Sequence, residues 1–267
     1  MGSVRVVLAG LLALAMASGS KAAPPSLQQR LDALKAAYPD HIRRIESNEL
    51  VMADGTRVVI DDGRAKDHQA KLADADVEDM LSQIYPIGAC DRGQAPGRNS
   101  DPGRIRSTPF LMAMYGRSAK AAAAKLVAID WFGRPLRVMG VNGVDRALET
   151  VRDDLAKLPR PLHRFFAKSA GTFNWRVIAG TSRPSVHSFG AAIDIDVAHA
   201  DYWRWSGGKP GAVKTYRNRI PRAVVEVFER QGFIWGGKWY HYDTMHFEYR
   251  PELIRIGRLA EAAGCAR

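Results

Sequence analysis

Residues 185–196, Ser-Val-His-Ser-Phe-Gly-Ala-Ala-Ile-Asp-Ile-Asp, and residues 242–248, Tyr-Asp-Thr-Met-His-Phe-Glu, constrain this chain more than any other stretch. Each runs into an alternating segment. A strand over 190–197 sets Asp194 and Asp196 on one face and Ile193, Ile195 and Val197 on the other, and a strand over 245–249 gives His246 and Glu248 a common face. Strands that pack hydrocarbon on one side hold polar groups rigidly on the other. His187 lies across the tight 188–192 passage from Asp194, so a loop and a strand can turn both inward. Two imidazoles, His187 and His246, and the Asp194 carboxylate together suit one zinc ion with a fourth position left for water or substrate.

The residues around this set have roles in the same scheme. Asp243 lies three residues before His246, where a turn could bring its carboxylate beside the ion as a general base, although it could equally cap the turn. Asp196 and Glu248 read as acceptors for the far ring nitrogens of the two histidines. Arg183 could hold a substrate carboxylate or a developing oxyanion. Arg176 is its rival, and a strand arginine beside Trp175 can also serve only to cover an aromatic face. Tyr202, Trp203 and His241 are candidates for a substrate wall, against the more common use of such residues in packing, and Tyr242 could orient substrate near Asp243. His199 reads as bordering the cleft, and His41, His68 and His163 have no supporting partners in sequence. The glycine pair at 236–237 lacks the Lys-Ser/Thr of a phosphate loop, and His-Glu-x-x-His is absent.

Ser-x-His-x-x-Gly-x-Ala-x-Asp at 185–194, followed by Asp-x-x-His at 243–246, resembles the signature of the zinc D-alanyl-D-alanine carboxypeptidase and L-alanyl-D-glutamate endopeptidase superfamily. The resemblance covers residues 171 to 251. It implies a compact α+β zinc fold of the hedgehog and DD-peptidase type, with His187, Asp194 and His246 as metal ligands, Asp243 as the catalytic carboxylate and Arg183 as the substrate or transition-state arginine. It also implies peptidoglycan stem peptides as substrate. Asp243 in place of the glutamate of the Glu-x-x-His branch points to the endopeptidase-like side, while removal of a terminal D-alanine remains the alternative. A wall-binding protein without turnover, and a zinc hydrolase of another amide or ester, are the competing classes.

The remaining sequence sets the context. Residues 1–23 read as an export signal, with Arg5 before the apolar run 6–17 and small residues from 18 to 23. That run is short of the ~20 apolar residues a spanning helix needs, so no stable transmembrane segment is expected in the mature form. Arg5 and Lys21 leave with the signal and no acid does, so the formal charge falls from +11 to +9. A periplasmic or secreted protein so basic is drawn to anionic cell-wall surfaces. The basic residues are scattered among acids and turn formers, which argues against nucleic acid as the partner. Cys90 and Cys265 are the two cysteines, too few for a cysteine zinc site and able to pair in an oxidising compartment.

Hydrophobic residues make up 46% of the 267, enough for one large core, divided into residues 24–170 of unassigned role packed on a catalytic core over 171–267. Periodicity predicts helices over 27–38, 118–129, 144–158 and 221–230, a hairpin over 48–60 turning at Asp54-Gly55, and strands over 136–141, 173–180, 190–197, 233–239 and 245–249. An α+β fold with a small antiparallel sheet and flanking helices follows. The glycine- and proline-rich stretch 88–103 reads as either an ordered surface excursion or a lid.

Overall fold

The computed structural model describes residues 23–178, 181 and 183–265; the export signal read over 1–23 lies, except for its last residue, outside the described residues. Helix α1 (Leu27–Ala37) starts at a Ser26 and Gln29 capping box and buries Leu31, Ala33 and Leu34. An antiparallel meander follows, β1 (Ile42–Glu46), β2 (Glu49–Met52) and β3 (Arg57–Val59), with its last turn at the expected Asp54-Gly55. Short helices α2 (His68–Ala73) and α3 (Val77–Leu81) lead into the 88–103 stretch, and α4 (Thr108–Tyr115) and α5 (Ala119–Ala123) come after it.

The helix expected over 118–129 stops at Ala123. Beyond it β4 (Leu126–Trp131) and β5 (Arg134–Met139) form a hairpin through Phe132 and Gly133, both at positive φ. Local helix propensity of the alanine run loses there to cross-strand pairing and to the burial of Ile129 and Trp131. Helix α6 (Val144–Ala156) buries Val144, Leu148, Val151 and Leu155, the stripe its spacing predicts.

The C-terminal half is built on a four-stranded antiparallel sheet in the order β6 (Ser169–Gly171), β7 (Ala192–Ile195), β9 (His246–Tyr249), β8 (Phe233–Trp235). Between β7 and β8, α7 (Arg222–Arg230) buries Val224, Val227 and Phe228 against the sheet, and the Phe228 ring stacks on Phe247 at 3.8 Å. After β9 the chain turns at Pro251 into α8 (Pro251–Ala262), a helix not anticipated from the sequence. The strand expected over 173–180 is also displaced: pairing with β7 is made by 169–171, and the described part of 173–180 is irregular apart from a bridge between Val177 and Pro184.

Residues 24–170 and 171–265 share one hydrophobic core. Helix α1 lies on α8, and Tyr38 at the end of α1 donates its hydroxyl to Glu252 of α8 at 2.6 Å. Cys90 and Cys265 are joined, with Cα atoms 5.3 Å apart, which fastens the turn at 88–90 to the end of α8. Among the described residues no helix is long and apolar enough to cross a membrane.

Residues 88–99 of the turn-rich stretch are mostly exposed and ordered, the surface excursion of the two readings, whereas its last residues, 101–103, are buried. Gly103 has φ +94°, and a Cβ there would lie 2.1 Å from Cδ1 of Ile234 and 3.1 Å from Cδ1 of Leu253. Gly103→Ala is therefore expected to lower stability by about 1–3 kcal/mol through overpacking in a backbone conformation that favours glycine. Gly97→Ala, where a Cβ meets nothing within 4 Å, should stay within ~0.5 kcal/mol. Urea unfolding of both variants measures the difference.

Candidate metal centre and active-site cleft

The site is assembled by backbone register. On the central strand pair Asp194 of β7 lies opposite His246 of β9, Ile193 opposite Phe247, and Ala192 opposite Glu248. Ile193, Ile195 and Phe247 are fully buried on the side facing α7, so the pleat directs Asp194, His246 and Glu248 to the opposite face. His187 arrives on a single 3-10 turn, Val186–Phe189, capped by Ser185 and anchored by the buried side chains of Val186 and Phe189. Gly190, at φ +64°, turns the chain from there into β7; a Cβ on it would meet Leu126 at 2.6 Å.

Each imidazole is fixed from behind. The Thr172 carbonyl accepts from Nδ1 of His187 at 2.9 Å, which leaves Nε2 as the nitrogen with a free lone pair. The buried Glu248 carboxylate accepts from Nε2 of His246 at 3.0 Å, which leaves Nδ1. These two acceptor nitrogens lie 3.2 Å apart, and Oδ1 of Asp194 is 3.2 Å from the first and 3.0 Å from the second. Three lone-pair atoms aimed at one point repel unless a cation or a proton lies among them. Tetrahedral zinc, with bonds of about 2.0–2.2 Å, sets its ligands about 3.3 Å apart, close to this triangle. His187, Asp194 and His246 thus fit a zinc ion.

The charges respond in the same sense. Burial would lower the pKa of His246, but its bonds to Asp194 and Glu248 outweigh this and raise it to about 9. Burial works against Asp194 and Glu248, yet the two histidines hold Asp194, and first Arg106 and then His246 hold Glu248, well below the usual carboxylate range. Asp243 moves the other way, pushed up to about 6 by burial and then by the negative Asp194. Among the described residues its Oδ1 is buried without a hydrogen-bond partner. The backbone amide of Asp243 donates to the Gly236 carbonyl at 3.0 Å, and its carbonyl accepts from the amide of His246 at 3.2 Å, closing the turn that feeds β9.

Asp243, the three candidate ligands and Arg183 line one cleft of about 130 Å³, which Tyr202 and Trp239 also border. Among the described residues Arg183 Nε is buried without a partner, and burial followed by the nearby Arg106 and Arg104 lowers its pKa to about 10. Arg176 sits at the exposed rim.

Several expectations need correction. Asp196 serves neither histidine: β7 ends at Ile195, and the Asp196 carboxylate accepts instead from the Ala198 amide at 3.0 Å, so the far nitrogen of His187 is served by a main-chain carbonyl. Trp203 and His241 are buried behind the cleft, the two rings packed edge to face at 4.9 Å, and of the expected wall only Tyr202 lines it. His199 packs on Phe165 and does not line the cleft. Tyr242 is buried, its hydroxyl hydrogen-bonded to that of Ser206.

His68 does have partners. With Asp101 and His241 it forms a second His-Asp-His group, Asp101 Oδ2 lying 2.8 Å from His68 Nε2 and 2.9 Å from His241 Nδ1. Here the far nitrogen of His241 accepts from the Gly211 amide at 3.0 Å, so Nδ1 carries the proton and donates it to Asp101. With its Nδ1 protonated, His241 offers no lone pair towards Asp101, so the group lacks the third ligand that the first set has. It pins the main chain ahead of Asp243, since the His241 amide also donates to Asp101.

The sequence reading also missed Arg104, Arg106 and Trp239. Arg106 reaches Glu248 through Nε, at 3.1 Å to both oxygens, and through Nη2. The only local sign was the Arg-x-Arg alternation at 104–106, which lies inside a turn-rich stretch.

Residues 179–249 match the family model described as D-alanyl-D-alanine carboxypeptidase. That segment is similar to this family. It contains His187, Asp194, Asp243 and His246 together, and it supports a peptidase that acts on peptidoglycan. No curated protein and no solved structure matches the chain. The matched segment begins after the 101–107 stretch, so Arg104 and Arg106 enter the cleft from outside it.

Zinc loading followed by elemental analysis is expected to find one ion per chain, lost in His187→Ala and kept in His68→Ala, whose melting temperature falls instead. A second ion that disappears with His68→Ala would assign a metal to the Asp101 group.

Proposed function

We propose that the chain is an exported zinc peptidase that hydrolyses an amide bond in peptidoglycan stem peptides, with His187, Asp194 and His246 as the metal ligands and Asp243 as the general base. The observation that carries this reading is the meeting of three lone-pair atoms within 3.2 Å of one another in a cleft that also contains a carboxylate oxygen with no partner of its own. Zinc held there would supply Lewis acidity for attack on the scissile carbonyl.

The remaining work falls to side chains of the chain itself. Asp243 takes the proton of the attacking water and delivers it to the leaving amine. Its Oδ1 has no structural partner to give up, and the hydrogen-bonded turn on which it sits holds it beside the ligands. Arg183 meets the negative oxygen that develops on the carbonyl or a substrate carboxylate, with a donor that has no competing partner among the described residues. Glu248 and the Thr172 carbonyl keep the imidazoles in the tautomers that face the cleft.

The match to a family of peptidoglycan peptidases and the export signal read over residues 1–23 support a periplasmic or secreted location. The charge of +9 left after signal removal supports attraction to an anionic wall. Cleavage of an internal bond and removal of a terminal D-alanine are both open to this catalytic set, and the products distinguish them.

Mass spectrometry of defined stem peptides after incubation, with and without a zinc chelator, tests the reading. Chelation should stop product formation and added zinc restore it. Asp243→Ala is expected to cut kcat by about 10²–10⁴-fold, the range for loss of a general base, with zinc content unchanged. Equal hydrolysis by that variant and the parent would remove Asp243 from its role, and tight peptide binding without hydrolysis would leave a wall-binding protein.

A further inference from the structure

The cleft holds more positive charge than this reaction uses. Arg104, Arg106, Arg176, Arg183 and Arg204 all line it. Arg106 is matched by Glu248. Among the described residues, none of the other four has a carboxylate within ion-pair distance, although Asp194 and Asp243 share the cleft with them. Arg176 and Arg204 are exposed at the rim, where water screens them, and Arg204 lies over the Trp203 ring. Arg104 is different. It is half-buried, its guanidinium stands 5.6 Å above the Trp239 ring, and its one polar contact among the described residues is a long 3.5 Å approach to the His241 carbonyl.

The backbone that carries Arg104 is held more firmly than a chance surface arginine requires. Trp239 Nε1 donates to the Pro102 carbonyl at 2.6 Å, Arg250 donates to the Gly103 carbonyl at 3.2 Å, and Asp101 is locked to His68 and His241. The next inward-facing residue, Arg106, is fixed on Glu248. Arg104 is thereby held in the same cleft as Arg183 and Asp243. Guanidinium groups kept this close in a partly desolvated cleft, without counter-ions, form a site that gains when an anion enters.

Resting on the peptidase reading above, we propose that Arg104 is a specificity-determining residue that binds a substrate carboxylate other than the group met by Arg183. The cleft then selects peptides that carry an additional free carboxylate beside the scissile amide. Its source is the 101–107 segment, which lies outside the part of the chain matched to the family. Trp239 supplies the flat surface that keeps the planar fork oriented, and the fork presents paired N–H donors to the carboxylate.

Two stem peptides, identical except that the acid flanking the scissile amide is free in one and a carboxamide in the other, separate the possibilities. Values of kcat/KM are measured for the zinc-loaded protein, and Kd by calorimetry on Asp243→Asn, which keeps the peptides intact. The free acid should be preferred by about 10- to 100-fold, as expected for a hydrogen-bonded charged group, in both measurements. Arg104→Gln should collapse that ratio towards one by weakening the acid peptide more than the amide. Arg104→Lys, which keeps the charge but not the fork, should give an intermediate ratio and a parental melting temperature. An unchanged ratio in Arg104→Gln, or an equal loss for both peptides, would overturn the assignment. Discriminating binding without cleavage would overturn the peptidase reading and leave the carboxylate site standing; cleavage without discrimination would do the reverse.

Discussion

The Glu248 carboxylate is the interaction on which the rest of the site depends. It is fully buried, and both of its oxygens are engaged: one accepts from His246 Nε2, and the pair is gripped by Arg106 from the N-terminal region and by Arg250 from the end of β9. Arg250 in turn donates to Glu252 at 2.5 Å, and Glu252 accepts from Tyr38. Two buried acids and two buried arginines therefore balance. A buried ion pair of this kind contributes little net stability, because desolvation offsets most of the attraction, but removing one member leaves an uncompensated charge at a cost of about 3–5 kcal/mol. Its effect is to fix geometry. The proton on His246 is held at Nε2, and Nδ1 is left to face Asp194.

That network also explains how residues 24–170 and the matched segment make one cleft. Arg106 reaches Glu248 from a segment packed against Ile234, Leu253 and Trp239, and this path requires the absence of a side chain at Gly103 and an acceptor for Trp239 at Pro102. Helix α1 closes the other end through Tyr38. A segment rich in turn formers becomes a buried wall because its polar main chain finds donors in Trp239 and Arg250, the condition under which irregular backbone can be buried at all.

Legibility in the sequence followed the range of the interactions. The stripe of α6, the hairpin at Asp54-Gly55 and the alternation that places Asp194 and His246 on strands are local patterns, and each is read within a few residues. Asp196 was misplaced because alternation does not say where a strand ends: pairing stops at Ile195, and one residue later a carboxylate is free to cap a turn. The alanine run misled in the same way, since helix propensity ends at Ala123 and the pairing of Leu126–Trp131 with Arg134–Met139 takes over. His68 and Asp101, 33 residues apart, and Asp101 and His241, 140 apart, leave no local trace at all.

The two His-Asp-His groups show why composition alone does not mark a metal site. Both bring two imidazoles to one carboxylate oxygen at hydrogen-bond distance, and both are largely buried. What differs is the partner at the far nitrogen. Where that partner is an acceptor, as with the Thr172 carbonyl and the Glu248 carboxylate, the proton is drawn outward and the lone pair is left facing the carboxylate. Where it is a donor, as with the Gly211 amide on His241, the proton is driven inward and the carboxylate is satisfied by it. The first arrangement leaves its lone pairs to be relieved by a cation or a proton, and the second already carries a proton on His241 towards the carboxylate. The same three residue types therefore build a candidate reaction centre on β7 and β9, and a clasp that steadies the chain just ahead of Asp243.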